Sequence, residues 1–97
     1  MNFEIKAFAP NFEILLSELE SKKVDILLLD LDLEGMSSIR DIKSILKDFP
    51  ETKVVLFTTA SEKMYAAIAI KAGVSAFISK KTALKELEQI LLEVADN

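Results

Sequence analysis

The sequence predicts an α/β domain built on a parallel sheet, and three observations lead there. The stretch Val24-Asp25-Ile26-Leu27-Leu28-Leu29-Asp30-Leu31-Asp32-Leu33-Glu34-Gly35-Met36 opens with an apolar run too short for an ordinary helix and stops in carboxylates and a glycine. That is the pattern of a strand buried on both faces as it leaves a parallel sheet. Two later runs, Lys53 to Thr58 and Val74 to Ser79, repeat it and also end in polar chemistry. Between the runs, apolar residues recur at helical spacing. Strand and helix alternating four times imply a parallel sheet with right-handed crossovers.

Taken in order, Phe3 to Ala9 alternates apolar and polar before turning apolar, which suits an edge strand closed by Pro10-Asn11. Asn11 is a good amino cap for a helix to about Lys22, with Phe12, Leu15, Leu16 and Leu19 on one face. The strand ending at Asp30 follows. Ser37 and Ser38 can cap a second helix striped by Ile39, Ile42, Leu46 and Phe49, which Pro50 terminates. After the Lys53 to Thr58 strand, an alanine-rich helix from about Glu62 to Ala72 should close on Gly73 as a left-handed carboxyl cap. The Val74 to Ser79 strand leads to Lys80-Lys81. Thr82 then caps a last helix whose Leu84, Leu87, Leu91 and Val94 form the buried stripe.

Composition narrows the function. The 97 residues make one domain, 1–97, and 51% hydrophobic content with two glycines and two prolines argues for a packed fold over a disordered one. A formal charge of −4 leaves no basic face for a phosphate backbone, so nucleic acid is not an expected partner. With no cysteine and no histidine, disulfides, thiolate chemistry, hydrolytic triads and zinc sites built on those residues are excluded. Met1 to Lys6 is not a leader sequence and no apolar run nears membrane-spanning length, so no membrane is expected and the cytoplasm is the expected location.

Three groups of different chemistry stand at the carboxyl ends of three successive strands: Asp30, Thr58 and Lys80. Each alone has a plainer role, as a turn residue, a β-branched strand residue and a solvated charge. Together, at the edge where open α/β sheets collect ligands, they outline an anion or phosphoryl site. The carboxylate can serve as nucleophile while ammonium and hydroxyl hold phosphoryl oxygens.

Ile26 to Met36 resembles the phosphoacceptor segment of two-component response-regulator receiver domains. Val54-Val55-Leu56-Phe57-Thr58, Ala69-Ile70-Lys71-Ala72-Gly73 and Ala76-Phe77-Ile78-Ser79-Lys80 resemble the family's later segments, in the style of regulators with a helix-turn-helix output. The likeness covers nearly the whole chain. It implies a flavodoxin-like fold, Asp30 as phosphoacceptor in a phosphorelay, Thr58 as switch hydroxyl, Phe77 as switch aromatic, Lys80 as the phosphoryl-contacting lysine, and a histidine kinase as donor. The sequence departs from the family where receivers begin with a strand ending in an acidic pair that holds Mg²⁺, followed by a helix. Here the chain begins at the family's second strand, leaving Asp30 and Asp32 as weak Mg²⁺ ligands. Glu34 stands where proline is usual, and Ser37-Ser38 where acid-glycine is common.

These departures suggest an atypical, truncated receiver-like signalling module, not an enzyme, that works by protein-protein contact. Without the family's central first strand, the four strands should pair in sequential order. Three helices would then cover one face of the sheet and only the last the other, so a homodimer or a protein partner is expected across the thin face. The alternative is a phosphorylation-independent structural or dimerisation module, a pseudo-receiver in which Asp30 and Lys80 are an inherited ion pair. A small phosphate-handling enzyme on the same scaffold lacks a glycine-rich loop and a general base.

Overall fold

Asn11 opens the first helix as its sequence requires: its Oδ1 accepts from the Ile14 amide at 2.9 Å, and its carbonyl accepts from Leu15 at 3.0 Å. In the computed structural model, which describes residues 9–30, 39–58, 63–82 and 84–96, this cap starts α1 (Phe12–Ser21). The remaining elements are β1 (Ile26–Asp30), α2 (Ile39–Asp48), β2 (Lys53–Thr58), α3 (Lys63–Ala72), β3 (Ala76–Ser79) and α4 (Leu84–Asp96). The expected strand Phe3 to Ala9 falls outside the described residues except for Ala9, which packs on the core. The proposed caps Ser37 and Ser38 also fall outside them.

Side-chain chemistry places the ends of these elements. The Phe49 amide closes α2 on Ile45, and a turn from Phe49 to Thr52, with Pro50 at its second position, leads to β2. Thr52 is buried and donates from Oγ1 to the Val24 carbonyl at 2.7 Å, while the Lys53 amide bonds Asp25 at 2.9 Å. These two bonds set β2 beside β1. At the end of α3, Gly73 takes φ +121° and donates to Ile70 at 3.1 Å, and Val74 reaches back to Ala69 at 3.2 Å. This pairing is a Schellman motif, and it draws Val74 out of the expected strand, so that β3 starts at Ala76.

Among the described residues the sheet runs β1-β2-β3, wholly parallel; these three strands are in sequential order, and the place of the expected fourth strand, Phe3 to Ala9, lies outside the described residues. Alternation along the strands sorts its two faces. Leu27, Leu29, Val54, Leu56 and Phe77 join Leu15 and Leu19 of α1, Ile42 and Ile45 of α2, and Ala69 of α3 in the main core. Val55 and Ile78 pack with Val94 of α4, flanked by Ile26, Phe57, Ala76, Leu87, Ile90 and Leu91. Among the described elements, three helices thus cover one face and one covers the other, as the sequence implied.

Two expectations need correction. The strand ending at Asp30 is not buried on both sides: Leu28 is 41% exposed, because a single helix serves its face and Leu28 lies outside both clusters. Leu84 is 80% exposed rather than part of the buried stripe, since it opens α4 beyond the end of β3; the stripe is Leu87, Ile90, Leu91 and Val94. In α2 the expected stripe of Ile39, Ile42, Leu46 and Phe49 packs in the main core, joined by Ile45, which the expectation omitted and which is fully buried beside Ile42.

Lys53 has a second role. Its ammonium donates to the Val94 carbonyl at 2.8 Å, in the last turn of α4, which has no basic residue of its own there. A cation at that end meets both an orphan carbonyl and the negative pole of the helix. No helix among the described residues is long and apolar enough to cross a membrane.

Two stability predictions follow from the caps. Gly73→Ala should cost about 1–3 kcal/mol in urea unfolding, from backbone strain at positive φ. Space is available, since an added methyl would meet Leu46 Cδ1 at 3.6 Å, an ordinary contact. Lys53→Met keeps the apolar stem but removes the cap, and should cost about 1–2 kcal/mol, with faster amide exchange in the last turn of α4.

Candidate functional site

Asp30 is the last residue of β1, carried to the carboxyl edge of the sheet by four apolar residues before it. Its partner in the ladder is Phe57 of β2, and the partner of Phe57 on the other side is Ile78 of β3. Beyond β3 the chain turns tightly: the Thr82 amide bonds the Ser79 carbonyl at 3.0 Å and the Lys81 amide bonds Ser79 Oγ at 3.1 Å. That turn presents Lys80 at the edge. Its ammonium donates to Asp30 Oδ2 in an ion pair.

Because β2 lies between β1 and β3, the lysine spans two strand spacings, about 10 Å. Phe57 occupies the gap. The Lys80 ammonium sits over its ring, 5.9 Å from the centroid. The side chains of Lys80 and Asp30 are 26% and 38% exposed, so the pair is partly screened and open to a ligand from solvent. A carboxylate nucleophile beside a fixed ammonium is an arrangement that can receive a phosphoryl group and balance its charge.

Of the residues expected at the site, Asp30 and Lys80 are brought into contact. The backbone of Thr58 ends β2 opposite Ser79, at the same edge. Phe77 is elsewhere: it pairs with Leu56 and packs against the main core, on the face away from α4. Asp32 lies outside the described residues. No group of three or more His, Cys, Asp or Glu side chains gathers among the described residues, and the site carboxylate there, Asp30, is paired with an ammonium. The described residues therefore do not amount to a Mg²⁺ site.

The model of the response regulator receiver domain matches residues 1–92. The chain belongs to that family. It is 33% identical over 94 residues to the transcriptional regulatory protein CitT of Bacillus subtilis, covering 94% of this chain and 40% of CitT. It is also 33% identical over 69 residues to the uncharacterized transcriptional regulatory protein YhcZ of the same organism, covering 71% of this chain and 32% of YhcZ. The receiver thus spans about a third to two fifths of these relatives. Among solved structures, a response regulator from Thermotoga maritima superposes with a TM-score of 0.83 at 27% identity, over 92% of this chain and 74% of that one. The signal receiver domain of a putative LuxO repressor protein from Vibrio parahaemolyticus superposes at 0.82 with 20% identity, a likeness of fold.

Sequence reasoning passed over Phe57, which in Val54 to Thr58 reads as one more core residue. The available signal was parity: once Asp30 and Phe57 share a rung, both point to one face.

For this receiver, a double-mutant cycle of Asp30→Asn and Lys80→Met should give a coupling of about 0.5–1 kcal/mol, the range for partly exposed pairs. The coupling should shrink as salt is raised. Zero coupling at low salt would remove the ion pair as an energetic contact.

Proposed function

We propose that this receiver works as an atypical response-regulator module in which Asp30 accepts a phosphoryl group and passes the signal on by protein-protein contact. The observation that carries the reading is the Lys80–Asp30 pair at the carboxyl edge of a parallel sheet. An Asp30 oxygen attacks phosphorus, an O–P bond forms, and the bond from phosphorus to the donor breaks. The donor leaves with that electron pair, and Asp30 becomes an acyl phosphate. Lys80 then has phosphoryl oxygens to contact in place of the carboxylate. By family resemblance, Thr58 supplies a hydroxyl, Phe77 acts as the aromatic that responds, and the donor is the phosphohistidine of a histidine kinase. The chain is an acceptor and not an enzyme in its own right. It works in the cytoplasm and has no direct nucleic-acid contact.

Contact with a second copy or another protein falls on the thinly covered sheet face, where Leu28 is left open beside α4. That exposure also supports a second reading, a phosphorylation-independent assembly module in which the ion pair is only structural.

Intact mass after incubation with a small-molecule phosphodonor, with and without Mg²⁺, separates the two readings. The expected result is a single phosphoryl adduct, lost in Asp30→Asn and slower in Lys80→Met. Folded protein that takes no adduct under either condition would favour the assembly module.

A further inference from the structure

The geometry points to Phe57 as a positioning residue of the Asp30 site, holding the Lys80 ammonium on the carboxylate through the face of its ring. This rests on reading Asp30 as the phosphoacceptor. Three independent observations carry it. The parallel register puts Phe57 on the same rung as Asp30, between the strands that supply the two charges. The ammonium lies over the ring at 5.9 Å, within the range where a ring quadrupole attracts a cation. Phe57 is itself held from below, as part of the cluster formed by Val55, Ile78 and Val94, so the ring is a fixed platform.

Lys80 has reason to need one. A lysine has a flexible stem and a strongly hydrated head, and here it must span about two strand spacings from the turn after β3. Asp30 alone anchors the ammonium only while its carboxylate is unmodified. Once Asp30 carries a phosphoryl group the partner atoms change, and the ring keeps the ammonium near the new oxygens while it exchanges one partner for another. Phe57 touches neither phosphorus nor the attacking oxygen in this scheme; it acts through Lys80. The aromatic that resemblance assigns to switching, Phe77, lies on the opposite face and packs with the main core, so the two aromatics have separate tasks.

The test uses the whole 97-residue chain with Phe57 replaced by Leu, by Tyr, and by a ring-fluorinated phenylalanine that keeps the shape and removes the negative face. The first readout needs no phosphorylation: the NMR shift of the Lys80 ε-methylene protons, assigned by the signal missing in Lys80→Met. Wild type and Phe57→Tyr should show an upfield ring-current shift, and Phe57→Leu should lose it. With the fluorinated ring the ammonium should move off the face, so the shift should shrink. The second readout is the rate of adduct formation from a small-molecule phosphodonor. Phe57→Leu and the fluorinated ring should slow it about twofold to fivefold, the equivalent of a partly exposed cation–π contact, while Phe57→Tyr should stay near wild type. Adding Phe57→Leu to Lys80→Met should slow it no further.

A Lys80 signal that is the same in wild type and Phe57→Leu overturns the proposal, as do Phe57→Leu and Lys80→Met effects that multiply. If Phe57→Leu does not fold, the fluorinated ring decides the matter alone. Wild-type protein that takes no phosphoryl group overturns the phosphoacceptor reading instead, and the Lys80 shift still decides whether Phe57 holds the ammonium.

Discussion

The constraint on which the rest depends is the parallel register of β1, β2 and β3. Side chains alternate across a sheet with period two, so a slip of one residue would turn Phe57 away from Asp30 and send the aliphatic side chains of β2 to the wrong helices. The register of β2 against β1 is fixed at their amino ends by the Thr52 hydroxyl on Val24 and the Lys53 amide on Asp25, and that of β3 against β2 by the Ser75 amide on the Val54 carbonyl at 2.8 Å. The chemistry is at the carboxyl ends. Bonds at one edge of the sheet therefore determine which groups meet at the other.

The helices divide unequally around this ladder. The main core takes α1, α2 and α3 and buries Leu29, Val54 and Leu56 almost completely. The opposite face depends on α4, which Lys53 holds at its last turn, while the turn from Ser79 to Thr82 leads into its start. That turn also carries Lys80, so the helix covering this face and the lysine serving Asp30 share one short connection. The same arrangement leaves Leu28 exposed on the face that, among the described elements, α4 alone covers.

Much of this was legible in the sequence because local chemistry dictates it. Asn11 at a helix start, Gly73 at a helix end and polar residues closing apolar runs each act within a few residues, and each is found where expected. Asp30 and Lys80 could be paired in advance because parallel strands bring their ends to one edge. The misses concern relations between distant segments. Phe57 reads as core until the rung it shares with Asp30 is known. Leu84 has the right helical phase, yet phase does not say where the sheet beneath a helix stops. Leu28 belongs to an apolar run that reads as buried on both faces; the unequal division of the helices was expected, but not that this residue would be the one left open. The expected strand at Phe3 to Ala9, apart from Ala9, and Asp32, expected as a weak Mg²⁺ ligand, lie outside the described residues.

Asp30 and Lys80 are 50 positions apart in the sequence, and the hydroxyl bond that sets β2 beside β1 joins residues 28 apart. Closing such long loops comes late in folding, after helices and local turns have formed. A chain still on its way to the native state has the carboxylate but neither the ammonium nor the ring beside it. If Asp30 accepts a phosphoryl group as proposed, competence arrives with completion of the fold, and partly folded molecules, which have the carboxylate without the ammonium, are poor acceptors.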